Sequence, residues 1–589
     1  MGDKIPARLR SPRGRAQVRI ATARITHVIC RRRWPPKAAL AKLAHSFLEE
    51  TREAAVNWNY GDILDAVARV APPERPALIW RDMVVTWDEF DRRTNNLARA
   101  LVDLGLAPDA RVGILCRNHP AYMEFLVAGV KARLLTVNLN YRYTADEIAY
   151  VLNDCGAAAL LYQSDFDEML EPLQVRLPCV RAWVRIESER SPQAAPVGVL
   201  SYETLARTGD GQPLAITRSP DDGYLLYTGG TTGKPKGVHW PTGQARRVQL
   251  ESPLIARVPL SMEEHTQIVR ATVAPGRIVP ACPLMHGSGS NAAMGELLNG
   301  GTAIILSNDR FDAHDLWREV DKHRATRIAI VGDVFAKPML KALEAAPGAY
   351  DLSSLKAISS AGLTWSKEVK DGLLRRLPHI TLVDILGASE ASGFGYSIAK
   401  AGHVPETGVF DAGALTVLID PDTGAVMPKD RPSEGFIARS GPMALGYFGD
   451  PDKTAATYRM IDGVRYAAPG DFARWLPPNQ FTLIGRGNLS INTGGEKVFP
   501  EEVEEALKLQ PGVADVLVVG QADETWGKIV VAVLKSDGAF DEARVRADLA
   551  RTLSSYKHPK RFILVDTVPR HESGKPDYRA AAAIAAEAS

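Results

Sequence analysis

The chain has 589 residues but only five cysteines, Cys30, Cys116, Cys155, Cys179 and Cys282, and no two form a close C-x-x-C type of pair. That scatter supports neither a zinc site nor a disulfide framework, and it points to a reducing cytoplasm as the protein's location. No run of about 18 apolar residues occurs, so no transmembrane segment is expected. An excess of one charge is missing too: 71 Lys and Arg stand against 69 Asp and Glu, a net charge of +2. A dedicated nucleic-acid binder normally carries a large basic surplus, so nucleic acid is excluded as a partner. What remains, 45% apolar and 24% charged residues, is the composition of a soluble globular protein. The length exceeds what one ordinary core organises, and two or more domains are expected.

Residues 1–55 differ from the rest. Between Lys4 and Lys37 there are eleven Lys or Arg residues, no acid and no hydrophobic periodicity. The stretch is Arg-rich like an organelle transit peptide but shows no clear amphipathic helix, and the apolar core of a secretory signal is missing. It reads best as a basic extension outside the fold, which begins near Val56.

From residue 57 onward apolar strand-like runs alternate with helix-period segments. Runs at 77–80 and 83–86 read as a hairpin, 87–104 as a helix ending before Gly105, 111–116 as a buried strand and 120–131 as a helix. Such alternation implies a mostly parallel sheet with helices on both faces, an α/β fold. The stretch 137–143, leading into a helix over 145–154, reads as part of that scaffold. Further strands are expected at 278–285, 302–306, 327–331, 357–361 and 381–386, with a helix over 314–323. Asp333 follows one strand and either meets a polar substrate group or caps a helix beginning at Val334.

The organising stretch is Tyr-Thr-Gly-Gly-Thr-Thr-Gly-Lys-Pro-Lys-Gly over 227–237, preceded by the apolar run 223–227. Gly229, Gly230, Gly233 and Gly237 can adopt positive φ and let backbone N–H groups approach an anion. Thr228, Thr231 and Thr232 add hydroxyl donors, and Lys234 and Lys236 add positive charge, so the loop is built for a polyphosphate. It is not a Walker A loop, because Thr228 stands where the first glycine is needed and Pro235 follows Gly233-Lys234 in place of Ser or Thr.

This string resembles the signature loop of the AMP-forming adenylating enzymes, the superfamily of acyl-CoA synthetases, luciferases and peptide-synthetase adenylation domains. The resemblance extends from residue 57 to the C-terminus, with further signatures in the family's order. It implies a large N-terminal adenylation domain over 56–485, made of helix-covered sheets with a β-rich subdomain, and a small mobile C-terminal α+β domain over 486–589. His286, at the end of a strand, would line the cavity where the acyl carboxylate meets the α-phosphate of ATP. Gly362 lies in the turn that resembles the adenine-binding turn. Gly387, Ala388, Ser389 and Glu390 correspond to the family's Tyr-Gly-x-Thr-Glu, with Leu386 in place of the aromatic and Ser389 keeping the hydroxyl. Glu390 would hold Mg²⁺, which prefers hard oxygen ligands. Asp471 would accept both ribose hydroxyls, Arg486 marks the domain boundary, and Asn488 stands at the hinge where Asp or Lys is usual. Gly494 and Gly495 would face the pantetheine of coenzyme A in one domain orientation, and Lys575 would be the catalytic lysine of the other.

The implied reaction is that of an acyl-CoA synthetase, a ligase forming carbon–sulfur bonds. A carboxylic acid, probed first as a fatty acid or sterol side chain, passes through acyl-AMP to acyl-CoA, releasing AMP and pyrophosphate. Loading of a carrier protein, or a non-enzymatic acyl- or nucleotide-binding protein on the same fold, are the alternatives; a homodimer is left open. Because residues 1–55 bring no core-forming pattern, deleting them is expected to leave a soluble protein with unchanged CoA ligase activity. A soluble truncation without activity would place the segment inside the working enzyme.

Overall fold

Apolar runs at 111–115, 135–138, 159–163 and 182–186 become neighbouring parallel strands. Arg111–Leu115 pairs with Leu135–Asn138 on one side and Ala159–Gln163 on the other, and Ala182–Ile186 extends the row. Every residue of Ala159–Gln163 and of Ala182–Ile186 is buried, as strands covered on both faces require. This computed structural model describes residues 57–588 apart from 190, 192–194, 229–233, 256, 309, 364, 487–490, 537, 539 and 571–575. The basic segment 1–55, Gly229, Gly230, Thr231, Thr232, Gly233, the hinge residue Asn488 and Lys575 therefore lie outside the described residues.

On the free side of Leu135–Asn138 the strand Gly223–Thr228 joins in parallel, and then the chain reverses. Lys236–Pro241 returns antiparallel beside it, with Thr228 opposite Lys236. The glycine-rich stretch is thus the loop of a hairpin within the sheet, an antiparallel return that the reading of the strand–loop sequence did not separate out. Among the described residues this sheet has eight strands.

A second sheet, of fifteen strands among the described residues, contains a parallel row in the spatial order Thr302–Ile305, Arg277–Pro280, Arg327–Ile330, Ala357–Ala361, Thr381–Gly387. Beyond Thr381–Gly387 it turns antiparallel through Ser392–Ala399 and Val409–Ala412 into the β-rich part that carries Asp471–Leu476 and Gln480–Arg486. The expected hairpin Pro76–Trp80 and Met83–Thr86 lies at its other edge, beside Thr302–Ile305. The largest apolar cluster draws side chains from both sheets, among them Val112, Ile114, Leu78 and Ile305.

Two expectations change here. The strand read over 278–285 stops at Pro280, because Pro280 and Pro283 lack the N–H that a ladder needs, and a helix Gly287–Leu297 follows with His286 as its N-cap residue. Asp333 does not cap the expected helix: that helix starts two residues earlier, at Gly332, and the Asp333 carboxylate instead accepts from the Ser366 N–H at 2.9 Å, where the next helix begins.

The C-terminal part has its own core. The hairpin Ile491–Thr493 and Glu496–Val498 and the sheet Asp515–Asp523, Gly527–Lys535, Arg561–Leu564 carry helices Pro500–Lys508, Glu542–Thr552 and Tyr578–Glu587. Its two apolar clusters contain only residues from 491 onward. Among the described residues no helix is long and apolar enough to cross a membrane.

Gly223 shows how tightly the strand feeding the phosphate loop is held. A Cβ there would stand 2.2 Å from the Trp240 carbonyl oxygen in the returning strand. Backbone cannot step aside as a flexible side chain can, so Gly223→Ala is expected to destabilise the fold by about 1–3 kcal/mol. Thermal or urea unfolding of the two proteins checks this.

Candidate active site

The site is assembled where strand ends of both sheets meet one end of the Gly287–Leu297 helix. Thr228, His286, Gly362, Gly387, Ala388 and Ser389 all line one cavity of about 430 Å³. Gly362 has φ +100°, so the turn after Ala357–Ala361 holds a conformation that favours glycine and keeps backbone at the cavity wall. Glu390 lies in the turn between Thr381–Gly387 and Ser392–Ala399, not at a helix N-terminus. Three aromatic residues fix that turn. The Trp240 indole N–H donates to the Ser389 carbonyl at 2.7 Å, the Tyr458 hydroxyl to the Glu390 carbonyl at 3.2 Å, and the Tyr447 hydroxyl to Glu390 Oε1 at 2.5 Å. Burial and the Glu390 carboxylate both push the Tyr447 phenol up, so it stays a donor. In the sequence Gly446 and Tyr447 resemble part of a further family signature and read as β-rich packing around the site; the structure gives Tyr447 a direct contact with Glu390.

Glu390 supplies one carboxylate, and among the described residues no cluster of three or more His, Cys, Asp or Glu suited to a metal occurs. A single carboxylate fits Mg²⁺, which is held by one or two carboxylates together with substrate phosphates. Lys236 ends the hairpin loop opposite Thr228 and pairs with Asp450 at 3.4 Å, while the Lys234 ammonium sits 5.1 Å from the Tyr150 ring centre. Asp471 starts its strand in register with Arg486 and, like Glu390, Lys234 and Lys236, does not belong to the cavity wall.

The stretch read as scaffold takes part directly. Asn138 accepts from the Tyr227 N–H at 2.6 Å and donates to the carbonyls of Tyr227 at 3.0 Å and Met285 at 2.9 Å, tying the strand before the phosphate loop to the segment that leads into His286. Two and four residues on, Asn140 and Arg142 reach the C-terminal part. Asn140 donates to Glu496 Oε2 at 3.2 Å, Arg142 donates to Glu496 Oε1, and His286 Nε2 lies 3.3 Å from that same oxygen. Burial alone would raise the Glu496 carboxyl, but His286 and Arg142 together hold it at about 2, against an ordinary 4.5. Glu496 is therefore an anion enclosed between the two parts of the chain. Its sequence signal was a carboxylate directly after two glycines.

Those glycines differ in role. Gly495, φ +88°, lines the cavity; Gly494, φ +56°, faces its own domain, where a Cβ would stand 2.7 Å from the Trp526 ring. A second buried contact lies close by. Lys557, 3% exposed, donates to Glu147 of the N-terminal part and to Glu502 at 2.7 Å, and Ser554 also donates to Glu147. Burial works against the charged lysine, and Glu502 and Glu147 outweigh it and raise its pKa.

Removing one member of a buried charge set leaves the other unpaired, at a cost of about 3–5 kcal/mol. Glu496→Gln is therefore expected to loosen docking of the C-terminal part, seen as faster proteolysis between residues 486 and 491. The ion-pair contribution of Glu496 is complete above pH 4.5 and is lost as pH falls toward 2. Protease sensitivity equal to the unmutated protein at neutral pH would show that this contact does not hold the domain.

Comparison with known proteins places this geometry. Residues 64–448 match the AMP-binding enzyme family and residues 502–575 the AMP-binding enzyme C-terminal domain. The chain is 36% identical to a 3-oxocholest-4-en-26-oate–CoA ligase of Rhodococcus rhodochrous, covering 88% of this chain and 95% of that protein. It is 35% identical to a medium/long-chain-fatty-acid–CoA/3-oxocholest-4-en-26-oate–CoA ligase of Mycobacterium tuberculosis, over 89% and 96%. The fold is shared with the o-succinylbenzoate CoA synthetase of Bacillus subtilis, with a TM-score of 0.71, 22% identity and coverage of 88% and 97%. It is also shared with the amide bond synthetase McbA of Marinactinospora thermotolerans, with a TM-score of 0.73, 21% identity and coverage of 89% and 99%. The chain belongs to the AMP-binding enzyme family, the AMP-forming adenylating enzymes.

Proposed function

We propose that the protein is an ATP-dependent acyl-CoA synthetase acting on a fatty acid or a sterol side-chain acid, the substrates named for its Rhodococcus and Mycobacterium relatives. The observation that carries this reading is the position of the Ile491–Val498 region. Gly495 and Glu496 line the same cavity as Thr228, His286 and the Gly387–Ser389 turn, so the C-terminal part helps build the acyl-transfer end of the site.

In the first half-reaction a carboxylate oxygen attacks the α-phosphorus of ATP, the bond to the β-phosphate oxygen breaks, and pyrophosphate leaves with that electron pair. The hairpin loop from Thr228 to Lys236 holds the departing phosphates through hydroxyl, backbone N–H and lysine donors. Ser389 meets the α-phosphate, Gly362 lets adenine lie close to backbone, and Asp471 accepts the ribose hydroxyls. Glu390, oriented by Tyr447, would hold Mg²⁺. When bound, Mg²⁺ neutralises phosphate charge. Lys575 stabilises the charge that grows between carboxylate and α-phosphate.

In the second half-reaction the C-terminal domain turns about Asn488, and Gly495, a residue of the cavity wall, faces the pantetheine of CoA. The CoA thiolate attacks the acyl carbon, the bond to the AMP oxygen breaks, and AMP leaves. Glu496 holds the His286 ring and Arg142 in place while this happens.

A panel of carboxylic acids assayed for pyrophosphate release, with and without CoA, tests the reading. Thioester formation with free CoA is expected; acyl-AMP that never passes to CoA would favour a carrier-protein substrate. Lys575→Ala is expected to slow acyl-AMP formation by roughly 10²- to 10⁴-fold, the effect of one preorganised charge. Given ready-made acyl-AMP and CoA, the same variant should form thioester at near the unmutated rate. Equal loss of both half-reactions would argue for one fixed site.

A further inference from the structure

The cavity extends well beyond the reacting groups. His286 stands at the N-terminal end of the Gly287–Leu297 helix and Asn299 just past its C-terminal end, and both line the cavity. Eleven helical residues span about 16 Å, so the cavity reaches from the acyl-transfer end to a floor that far away. Much of the wall between, including Leu254, Ile255 and Val248, is apolar and suits a hydrocarbon.

The floor is different. Arg246, on the Thr242–Leu250 helix, is only 1% exposed and lines the cavity. Its Nη2 donates to the Asn299 amide oxygen at 3.3 Å and its Nη1 to that of Gln249 at 3.5 Å, and its Nε has no hydrogen-bond partner. The other arginines buried to this degree, Arg185 and Arg439, each hold a carboxylate: Asp167 and Glu187 for the first, Glu251 for the second. Arg246 has no ion pair among the described residues. Of the two glutamates on the cavity wall, Glu296 lies 3.6 Å from a different cation, Arg327, and Glu496 is held by Arg142 and His286. Tyr60, 1% exposed, and Gln249 also line the cavity, and the buried Tyr60 hydroxyl and Gln249 amide nitrogen have no hydrogen-bond partners.

Buried polar groups are nearly always partnered, and a buried cation without a counter-charge is destabilising by several kcal/mol. Burial lowers Arg246 to about 10, with Tyr60 acting the other way, so the guanidinium is still charged at neutral pH. Three unpartnered donor groups on residues that line one part of a substrate cavity match a missing acceptor. We propose that this floor is a recognition subsite for an acceptor oxygen, a carbonyl or carboxylate, carried by the acid at the end remote from the carboxyl group that is activated. The subsite thus narrows the substrate class within the acyl-CoA synthetase reading, on which it rests: an acid with an apolar middle and an oxygenated far end.

The test compares three acids of matched length, drawn from a series of lengths: an unsubstituted fatty acid, its ω-oxo counterpart and the α,ω-dicarboxylic acid. AMP release in the presence of CoA gives kcat/KM for each. At the best length at least one oxygenated acid is expected to exceed the unsubstituted acid by roughly 10- to 100-fold, mainly through KM, because a site built for a hydrogen bond rejects the analogue lacking it. Preference for the oxo acid identifies a carbonyl as the partner of Arg246, and preference for the diacid identifies an anion. Arg246→Met should bring the ratio near one, and Tyr60→Phe should lower it. An unmutated enzyme that uses the unsubstituted acid as well as both oxygenated acids at every length overturns the proposal while leaving the acyl-CoA synthetase reading intact. So does a preference that survives Arg246→Met. If none of these acids, nor any in the wider carboxylate panel, yields a thioester, the synthetase reading fails and the subsite falls with it.

Discussion

Two buried ion pairs of opposite sense join the C-terminal part to the rest of the chain, and Lys557 also keeps a carboxylate of its own part, Glu502. The C-terminal part contributes the anion Glu496 to Arg142 and His286, and the cation Lys557 to Glu147. Glu496 and Lys557 are only 6% and 3% exposed. An ion at such depth is tolerable only when paired, and in water it is stable without a partner, so intermediate separations, dry but unpaired, are the costly ones. The arrangement therefore favours a domain that is either docked with these contacts made or withdrawn with the separated groups hydrated. That is the energetic form that the proposed alternation of two domain positions would require.

Both docking points on the large part lie within one short stretch. Asn140 and Arg142 follow the strand Leu135–Asn138, and Glu147 sits in the first turn of the helix Ala145–Cys155, where it also closes a capping box with Thr144. The same strand ends in Asn138, whose amide bridges Tyr227 and Met285. The residues that receive the C-terminal domain are thus within a few peptide units of those that position the phosphate loop and the His286 segment. Docking and the strand that feeds the phosphate loop share one stretch of backbone.

The α/β alternation was legible because buried parallel strands read as short continuous apolar runs and their helices as 3.6-period patterns; the helix read over 314–323 is Ala313–Lys322 in the structure. The ends of elements were less legible where proline decides them, as at Pro280. The hairpin return of Lys236–Pro241 was hidden because a loop rich in glycine gives no sign of whether a strand or a helix follows. Residues that line the cavity through their own short segments, Thr228, His286, Gly362 and the Gly387–Ser389 turn, stood out in the sequence. Glu496, Arg142 and Asn140 did not, since their significance lies in meeting across a separation of more than 350 residues, and no local pattern encodes such a contact. Leu386 raised the question of how adenine would pack without an aromatic residue. In the structure Leu386 packs on the main apolar cluster, and the cavity wall is formed by its neighbours Ile385 and Gly387.

The contrast between the two kinds of buried charge separates stability from specificity in this fold. Arg185, Arg439, Lys557 and Glu496 each find an opposite charge within the protein, so their burial is settled when the chain folds and the domain docks. Arg246 is buried to the same degree but meets only the amide oxygens of Gln249 and Asn299 at 3.5 and 3.3 Å. Replacing it by an apolar residue of similar size would remove an unpaired buried cation, a change that by itself tends to stabilise a core. A residue whose loss costs the fold little and whose charge faces the substrate cavity is explained by what enters that cavity. Binding energy from such a remote contact holds the far end of the acid, and so fixes the distance of its carboxyl group from His286 and the α-phosphate before reaction begins.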